Sequence, residues 1–402
     1  MNILFLTLLH IDNLDEHGIY QDLLRELSRQ GHQLCVVSPA ERRTGQQTHV
    51  RSESGNTFLI VKTGNIQKTN LIEKGISTVL LEQQFIQAIR KYLSNVHFDL
   101  ILYSTPPITL EKAVAYVKKR DRARTYLLLK DIFPQNAVDL GMLPKSGPMG
   151  ILYRYFRAKE KRLYALSDAI GCMSQANVDY VLAHNPEVEA SKVEVCPNSI
   201  EVIDKSIDAE ERNRMRVKYG IPTDKTVFVY GGNLGKPQGI PFLIQCLTKA
   251  RDLNDAFFLI IGDGTEYEKL RSYTHSSAQK NLKLLRRLPK EDYDHLVAAC
   301  DVGMVFLDHR FTIPNFPSRI LSYMQAKLPI LAVTDPNTDI GKIITGGGYG
   351  LWSESDDEER VISKITSMND AKNLHNQGMR GFRYLKECFS VQSAAKTIIK
   401  RN

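Results

Sequence analysis

Short apolar runs rich in β-branched residues alternate with amphipathic helical patterns along almost all of this chain, and that alternation restricts the fold to parallel sheets covered on both faces. In the first half, strands are predicted at Ile3 to Thr7, Gln33 to Ser38, Phe58 to Val61, Leu100 to Tyr103, Thr125 to Leu129, Ala169 to Met173 and Lys192 to Cys196. Between the first two, HGIYQDLLRELSRQGH sets Leu23, Leu24 and Leu27 in one apolar stripe, and Gly31 supplies the stop. After Pro197 and Asn198 the pattern lapses into EVIDKSIDAEERNRMRVKYGIPTDK, which is charged and holds no strand candidate. A second alternation follows, with strands at Val227 to Tyr230, Phe257 to Ile261, Leu282 to Leu285, Val302 to Phe306 and Ile330 to Val333. The stretch from Asn369 to Asn402 reads as helical to its end. At 402 residues the chain is too long for one ordinary core. The expectation is an α/β protein of two Rossmann-like, doubly wound domains, 1–200 and 201–380. Each sheet would gather its functional loops at the carboxyl ends of its strands, and the two sets would face one another across a cleft.

A formal net charge of +8 favours an anionic partner: nucleic acid, a lipid surface or a phosphorylated small molecule. The chain has no zinc-finger spacing and no RNA-binding aromatic signature, which argues against nucleic acid. Its apolar runs fall well short of the roughly 20 residues that span a bilayer. The opening MNILFLTLL has neither a basic leader nor a small-residue cleavage site, so it reads as a first buried strand. Six cysteines, at 35, 172, 196, 246, 300 and 388, are scattered without metal-ligand spacing, as expected of reduced core thiols in a cytoplasmic protein. The first strand runs into HIDNLDEHG rather than a G-x-G-x-x-G turn, against a classical NAD-binding half.

Four segments of the second half point to one kind of ligand. In VFVYGGNLGKPQG a strand ends at Tyr230, and Gly231, Gly232, Asn233 and Gly235 open a turn before a helix near Gly239, with Lys236 beside it. Glycines there leave room for a ligand against the backbone, and the helix start would present N–H groups to a phosphate. A tight turn without a ligand needs the same glycines. IIGDGTEYEKL repeats the arrangement around Gly262 and Asp263. In LRRLPKED, Arg286, Arg287 and Leu288 precede a helix, and in PNFPSRILSYMQAKLPILAV, Pro317 and Ser318 open one that carries Arg319 and Ser322. Taken in order, the four would gather N–H groups and cations around a diphosphate.

These motifs, with HGIYQDLLRELSRQGHQLCVVSP, KDIFPQNAVDLGML and VEVCPNSIEV, resemble the retaining nucleotide-sugar glycosyltransferases of the GT-B fold, family 4-like, over nearly the whole chain. Within that class the sequence is similar to capsule and O-antigen transferases, closest in flavour to those that pass N-acetylated amino sugars such as N-acetyl-fucosamine. The resemblance implies a UDP-sugar donor, a polyprenyl-diphosphate-linked saccharide acceptor, no cofactor and no metal. It also implies a final helix, 381–402, that packs back toward the first domain. The sequence departs from the family at four positions. The arginine and lysine often found in the first loop of the second domain are Asn233 and Gln238 here, and the paired glutamates align with Pro314 and Ser322. Lys236 and Arg319 would then carry the diphosphate charge, with Ser318 and Ser322 as the local polar candidates. A branch of the family with a Pro-Ser-Lys-like segment is similar, with Arg319 in the lysine position.

In the first half, His17 and Gly18 open a helix where the family's glycine-rich loop approaches donor phosphates and acceptor; an ordinary capped helix start is the alternative. Asp131 follows a buried strand and precedes Phe133 and Pro134, as an acceptor ligand or base, or as a structural N-cap. Ser104 and Thr105 end another strand and would line the same opening, while His10 reads as a hydrogen-bonded core residue. Asp292 and Asp294 spell D-x-D at a helix start, where acids suit the dipole better than a metal. ILYRYFRAKEKRLYALS sets Tyr153, Tyr155, Phe156 and Tyr164 among Arg154, Arg157, Lys159, Lys161 and Arg162. This pattern suits either contact with an anionic membrane or a helix with aromatic core contacts and a solvated basic face. Lys118, Lys119, Arg120, Arg122 and Arg124 add a second basic cluster. The reading is a glycosyltransferase, peripheral on the inner face of the cell membrane, with Asp131, Lys236 and Arg319 as its catalytic candidates. A nucleotide-sugar epimerase and a non-catalytic nucleotide-sugar binding protein on the same scaffold are the alternatives.

Overall fold

The computed structural model describes residues 1–66, 71–106, 108–148, 150–369 and 372–401. The chain divides into two units, Met1–Glu201 with Val391–Asn402, and Val202–Ser390. In the first, eight strands form one sheet: β1 (Asn2–Leu6), β2 (Gln33–Glu41), β3 (His49–Glu53), β4 (Asn56–Thr63), β5 (Leu100–Ser104), β6 (Arg124–Leu129), β7 (Ala169–Cys172) and β8 (Val193–Val195). Their order is β3-β4-β2-β1-β5-β6-β7-β8. In the second unit β9 (Thr226–Asn233), β10 (Ala256–Asp263), β11 (Leu282–Leu285), β12 (Val302–Phe306), β13 (Ile330–Thr334) and β14 (Gly350–Glu354) are ordered β11-β10-β9-β12-β13-β14. All pairings are parallel except β3 with β4. Continuous apolar strands are the consequence, since a parallel sheet with helices on both faces buries every side chain of its central strands. Ile3 to Leu6 and Val227 to Tyr230 are fully buried.

Two strands differ from the sequence-based expectation. β3 is a polar, mostly exposed edge strand that turns back on β4 through Ser54 and Gly55, both with positive φ. A two-residue turn with both φ positive matches the twist of a hairpin, so the signal lay in the Ser-Gly pair rather than in apolar content. β14, GLWSE, is an edge strand with only Gly350 and Ser353 buried, too mixed to stand out as an apolar run. The expected unbroken helix over 369–402 is two helices, Leu374–Cys388 and Val391–Lys400, with residues 370, 371 and 402 outside the described set. The helix stops because Phe389 turns inward, its ring 5.8 Å from that of Phe316 and 5.6 Å from that of Tyr384. The chain passes there from the second unit into the first. Val391, Ala394, Ala395 and Ile398 then join the core formed by β1 and the helix Ile19–Arg29.

Candidate active site

In the second unit the strand order reverses between β9 and β12, and an open parallel sheet takes its ligand at the carboxyl ends of the strands on either side of such a reversal. β9 delivers Gly231, Gly232 and Asn233 to that point, beside Gly262 and Asp263 at the end of β10. Side chains are excluded here for two separate reasons. Gly232 has a φ of +130°, and a Cβ on Gly262 would lie 1.9 Å from the Gly232 carbonyl oxygen. The backbone is therefore bare along this rim. Beyond Asn233 the chain makes a single 3₁₀ turn, Lys236–Gln238, before the helix Ile240–Lys249. Gln238 fixes that turn: its Oε1 accepts from the Gly235 N–H at 3.1 Å and from Asn233 Nδ2 at 3.0 Å. The Gly235 N–H is thus occupied within the protein.

Arg319, the first residue of the short helix Arg319–Gln325, reaches back over this rim. Its Nη1 donates to the Gly231 carbonyl at 2.9 Å, and its guanidinium lies over the Tyr230 ring, 4.4 Å from the centroid. The Tyr230 hydroxyl in turn donates to the Asn233 carbonyl at 2.8 Å. Tyr230 therefore aims the arginine, through stacking on a planar cation that an ammonium could not reproduce as well. Among the described residues no carboxylate pairs with Arg319, nor with exposed Lys236 or exposed Arg287. A half-buried guanidinium without a counterion is costly unless an anion joins it. Arg286 is placed differently. It stacks on Tyr267 at 4.4 Å and lies 3.8 Å from Asp263, so its charge is partly compensated inside the protein. Leu288 is half-buried, Ser318 is exposed, and the Ser322 hydroxyl donates to the Arg319 carbonyl at 2.8 Å. The sequence reading overlooked Tyr230 as a platform and the Asp308–Arg310 pair, 2.8 Å apart just past β12, which holds the Asp308 carboxyl below its usual range against the effect of burial.

The first-half candidates lie at the carboxyl end of the first sheet. The Asp131 Oδ1 is buried without a hydrogen-bond partner, while Oδ2 accepts from Asn136 Nδ2. Burial pushes this carboxyl up to about 6, with the Ile132 backbone N–H and then the Asn136 amide opposing the shift. Thr105 ties it to β5, its hydroxyl donating to the Asp131 carbonyl at 3.1 Å. Ser104 is buried, with its side chain engaged by Tyr20, so the structure gives it a packing role rather than an exposed hydroxyl. His17 is exposed and bonded through Nδ1 to Asp22 at 3.2 Å. The Gly18 N–H already donates to the same carboxylate at 3.3 Å, and its φ of −176° is ordinary extended backbone. Asp22 also binds the Glu201 N–H and Arg25, which fastens the start of the helix Ile19–Arg29. His10 Nδ1 bonds the Pro39 carbonyl at 2.9 Å as expected, but the residue is exposed rather than part of the core.

Carboxylates that could suggest a metal are engaged elsewhere. Asp292 pairs with Lys218 at 2.9 Å and Asp294 with Lys205 at 2.7 Å. His17, Asp22 and Glu201 form the one compact ligand-like group among the described residues, and the Arg25 guanidinium bonds both of its carboxylates. The basic helix, Gly150–Leu166, also differs from an all-solvent cationic face. Lys159 is buried against Glu82 at 2.7 Å, Arg157 pairs with Glu160 at 2.7 Å, Lys161 with Glu187 at 3.0 Å and Arg162 with Glu111 at 3.8 Å. Its exposed groups include apolar ones, Ile151, Leu152 and Tyr155, near Met142 in sequence. Among the described residues no helix is long and apolar enough to cross a membrane.

Two family models divide the chain. Residues 20–202 match Glycosyltransferase Family 4, and residues 211–380 match Glycosyl transferases group 1. The chain is 25% identical over 358 residues to "Probable glycosyltransferase WbjE" of Pseudomonas aeruginosa, covering 88% of this chain and 85% of the relative. A protein provisionally named as the colanic acid biosynthesis glycosyl transferase WcaI of Escherichia coli K12 is 23% identical over 277 residues, 66% of this chain and 65% of that one. The structure of Anabaena Alr3699/HepE in complex with UDP and glucose superposes with a TM-score of 0.70 at 16% identity, covering 100% of this chain and 98% of the other. Matches to both halves, on two Rossmann-like domains, place this chain among the glycosyltransferases of the GT-B fold, family 4 and group 1.

Proposed function

We propose that the chain transfers a sugar from a UDP-sugar to a hydroxyl of a polyprenyl-diphosphate-linked saccharide, during assembly of a surface polysaccharide at the inner face of the cell membrane. The observation that carries this reading is the Arg319 guanidinium, seated on Tyr230 and the Gly231 carbonyl with no carboxylate partner among the described residues, beside a bare glycine rim. A departing diphosphate supplies the missing anion. Arg319 and Lys236 take up the negative charge that grows on it, which lowers the barrier because both cations interact with it more strongly at the transition state than in bound donor. Asp131, with its carboxyl poised near 6, binds or deprotonates the acceptor hydroxyl. The anomeric configuration is retained and no metal takes part. UDP as the nucleotide agrees with the ligand of the Anabaena protein, and a polysaccharide role agrees with the name of the E. coli relative. An N-acetylated amino sugar, such as N-acetyl-L-fucosamine, is the donor sugar that the resemblance favours. The test is release of UDP from a panel of UDP-sugars with and without lipid-linked acceptor. Acceptor-dependent release supports transfer, conversion of donor alone makes the protein an epimerase, and tight UDP binding with no release from any pair makes it a binding protein.

A further inference from the structure

At the opposite end of the first sheet lies a cavity of about 430 Å³, lined by Lys118, Arg122, Arg124, Asp168 and Arg401 with Ala123 and Ala169. Arg124 is the first residue of β6 and Asp168 immediately precedes β7, so the cavity opens at the amino ends of these strands. Asp131 follows the other end of β6, roughly 20 Å away at about 3.3 Å per strand residue. This pocket is therefore separate from Asp131 and the other candidates at the carboxyl end of the first sheet.

Its charges are not evenly balanced. Lys118 is held by Asp168 at 2.8 Å and by the Leu166 carbonyl at 2.7 Å. Asp168 is further bound by the Thr125 N–H at 2.9 Å and the Thr125 hydroxyl at 2.8 Å. Arg401 pairs with Glu194 at 2.9 Å. The remaining two guanidiniums have no carboxylate among the described residues: Arg124 donates to the Arg401 carbonyl at 2.6 Å, and Arg122 makes no ion pair. Arg122 also sits in the left-handed region, φ +55°, where it ends the helix Glu111–Asp121. Glycine is the residue that fits such a helix end without strain, so the backbone gives no reason for an arginine there. Arg122 and Arg124 thus line one pocket as exposed guanidiniums with no carboxylate partner among the described residues, and a guanidinium suits a phosphate because it offers paired N–H bonds to the phosphate oxygens.

We propose that this pocket binds a phosphate group, with Arg122 and Arg124 as its principal ligands. The phosphate belongs either to a soluble phosphorylated compound or to an anionic lipid headgroup, which share this chemistry. The experiment uses the full chain and the variant R122G, in which the left-handed position gains its preferred residue, alongside R124Q. Inorganic phosphate and diphosphate are titrated at constant ionic strength and followed by thermal shift and calorimetry, in the wild-type background and again with K236A to weaken the other candidate anion site. In parallel, flotation compares vesicles of phosphatidylcholine alone with vesicles that also contain phosphatidic acid. The expected result is that R122G folds at least as stably as wild type yet binds at least tenfold more weakly to one of these probes, and that R124Q weakens the same probe. Loss confined to soluble phosphate or diphosphate assigns a free ligand, and loss confined to phosphatidic acid vesicles assigns a headgroup. The proposal is overturned if wild type binds none of the probes, or if R122G binds them within twofold of wild type, which would leave the pocket a solvated basic surface.

Discussion

Asp131 is where the strongest residue-scale consequence lies. Its folded-state carboxyl is raised to about 6 from an ordinary value of 3.8, chiefly by burial. For an acid raised in this way, the folded state binds the extra proton between those values, so the contribution to stability is fully present below the unfolded value and is lost as pH climbs through about 6. Asp131→Asn keeps an oxygen for the Asn136 amide and removes the charge. We expect it to be more stable than wild type at pH 8, by about 1–3 kcal/mol from a shift of this size, and little different at pH 4. Urea unfolding at the two pH values checks this; equal differences at both would show that Asp131 is not the titrating group. If the same carboxylate also serves the acceptor, the stabilised variant loses turnover, and the wild-type rate rises with pH through about 6. Lys236→Ala and Arg319→Ala should each lower turnover about a hundredfold, the usual effect of losing one contact to a developing charge, or about 3 kcal/mol of barrier. Lys236 is exposed and should leave stability unchanged, whereas Arg319 also supports the Tyr230 ring and the Gly231 carbonyl. Initial rates within a factor of about two of wild type for both variants would remove them from the mechanism.

At the scale of elements, the helix Gly150–Leu166 shows what a sequence pattern can and cannot say. Its run of cations is plain in the sequence, but their partners come from elsewhere: Glu82, Glu111 and Glu187 lie on other segments, and only Glu160 is local. A composition of basic and aromatic residues could not separate paired cations from free ones. The ion pairs change the expected manner of membrane contact. With Arg157, Lys161 and Arg162 engaged and Ile151, Leu152 and Tyr155 exposed, the contact should be led by apolar insertion and should resist salt. In vesicle flotation, Ile151→Ser with Leu152→Ser and Tyr155→Ser should abolish binding, while raising salt from about 0.1 to 0.5 M should weaken it only slightly. Replacing Arg157 with Gln should instead cost stability, since it strips buried Glu160 of its cation. Complete release of wild type by salt, with the triple serine variant still bound, would return the contact to electrostatics.

For the whole molecule, the doubly wound architecture was legible because buried parallel strands must be continuously apolar, and the glycine rim was legible because Gly231, Gly232 and Gly262 follow directly on the apolar runs and lie among the last residues of β9 and β10. The seat of Arg319 on Tyr230 was not, because it joins two elements through the third dimension and neither residue type announces the contact. Edge strands β3 and β14 escaped for a related reason, since an exposed edge need not be apolar. The distribution of charge around the rim bears on the chemistry of the transferase. A transferase that relies on a metal needs free carboxylates to hold it near the diphosphate. Here the D-x-D acids are bound to Lys218 and Lys205, the Asp263 carboxylate accepts from the Gly264 N–H, and Asp308 is held by Arg310. The rim instead presents Lys236, Arg287 and Arg319 without carboxylate partners among the described residues. Side-chain cations can then stabilise the leaving diphosphate where a divalent ion would otherwise do so. Acceptor-dependent UDP release should accordingly be unchanged by excess EDTA, and added magnesium or manganese should not raise it. The decisive comparison is wild type with Arg319→Ala under both conditions. Abolition of wild-type turnover by EDTA, with rescue by either metal, would overturn this account, whereas partial rescue of Arg319→Ala alone by magnesium would confirm that the arginine occupies the place of the missing ion.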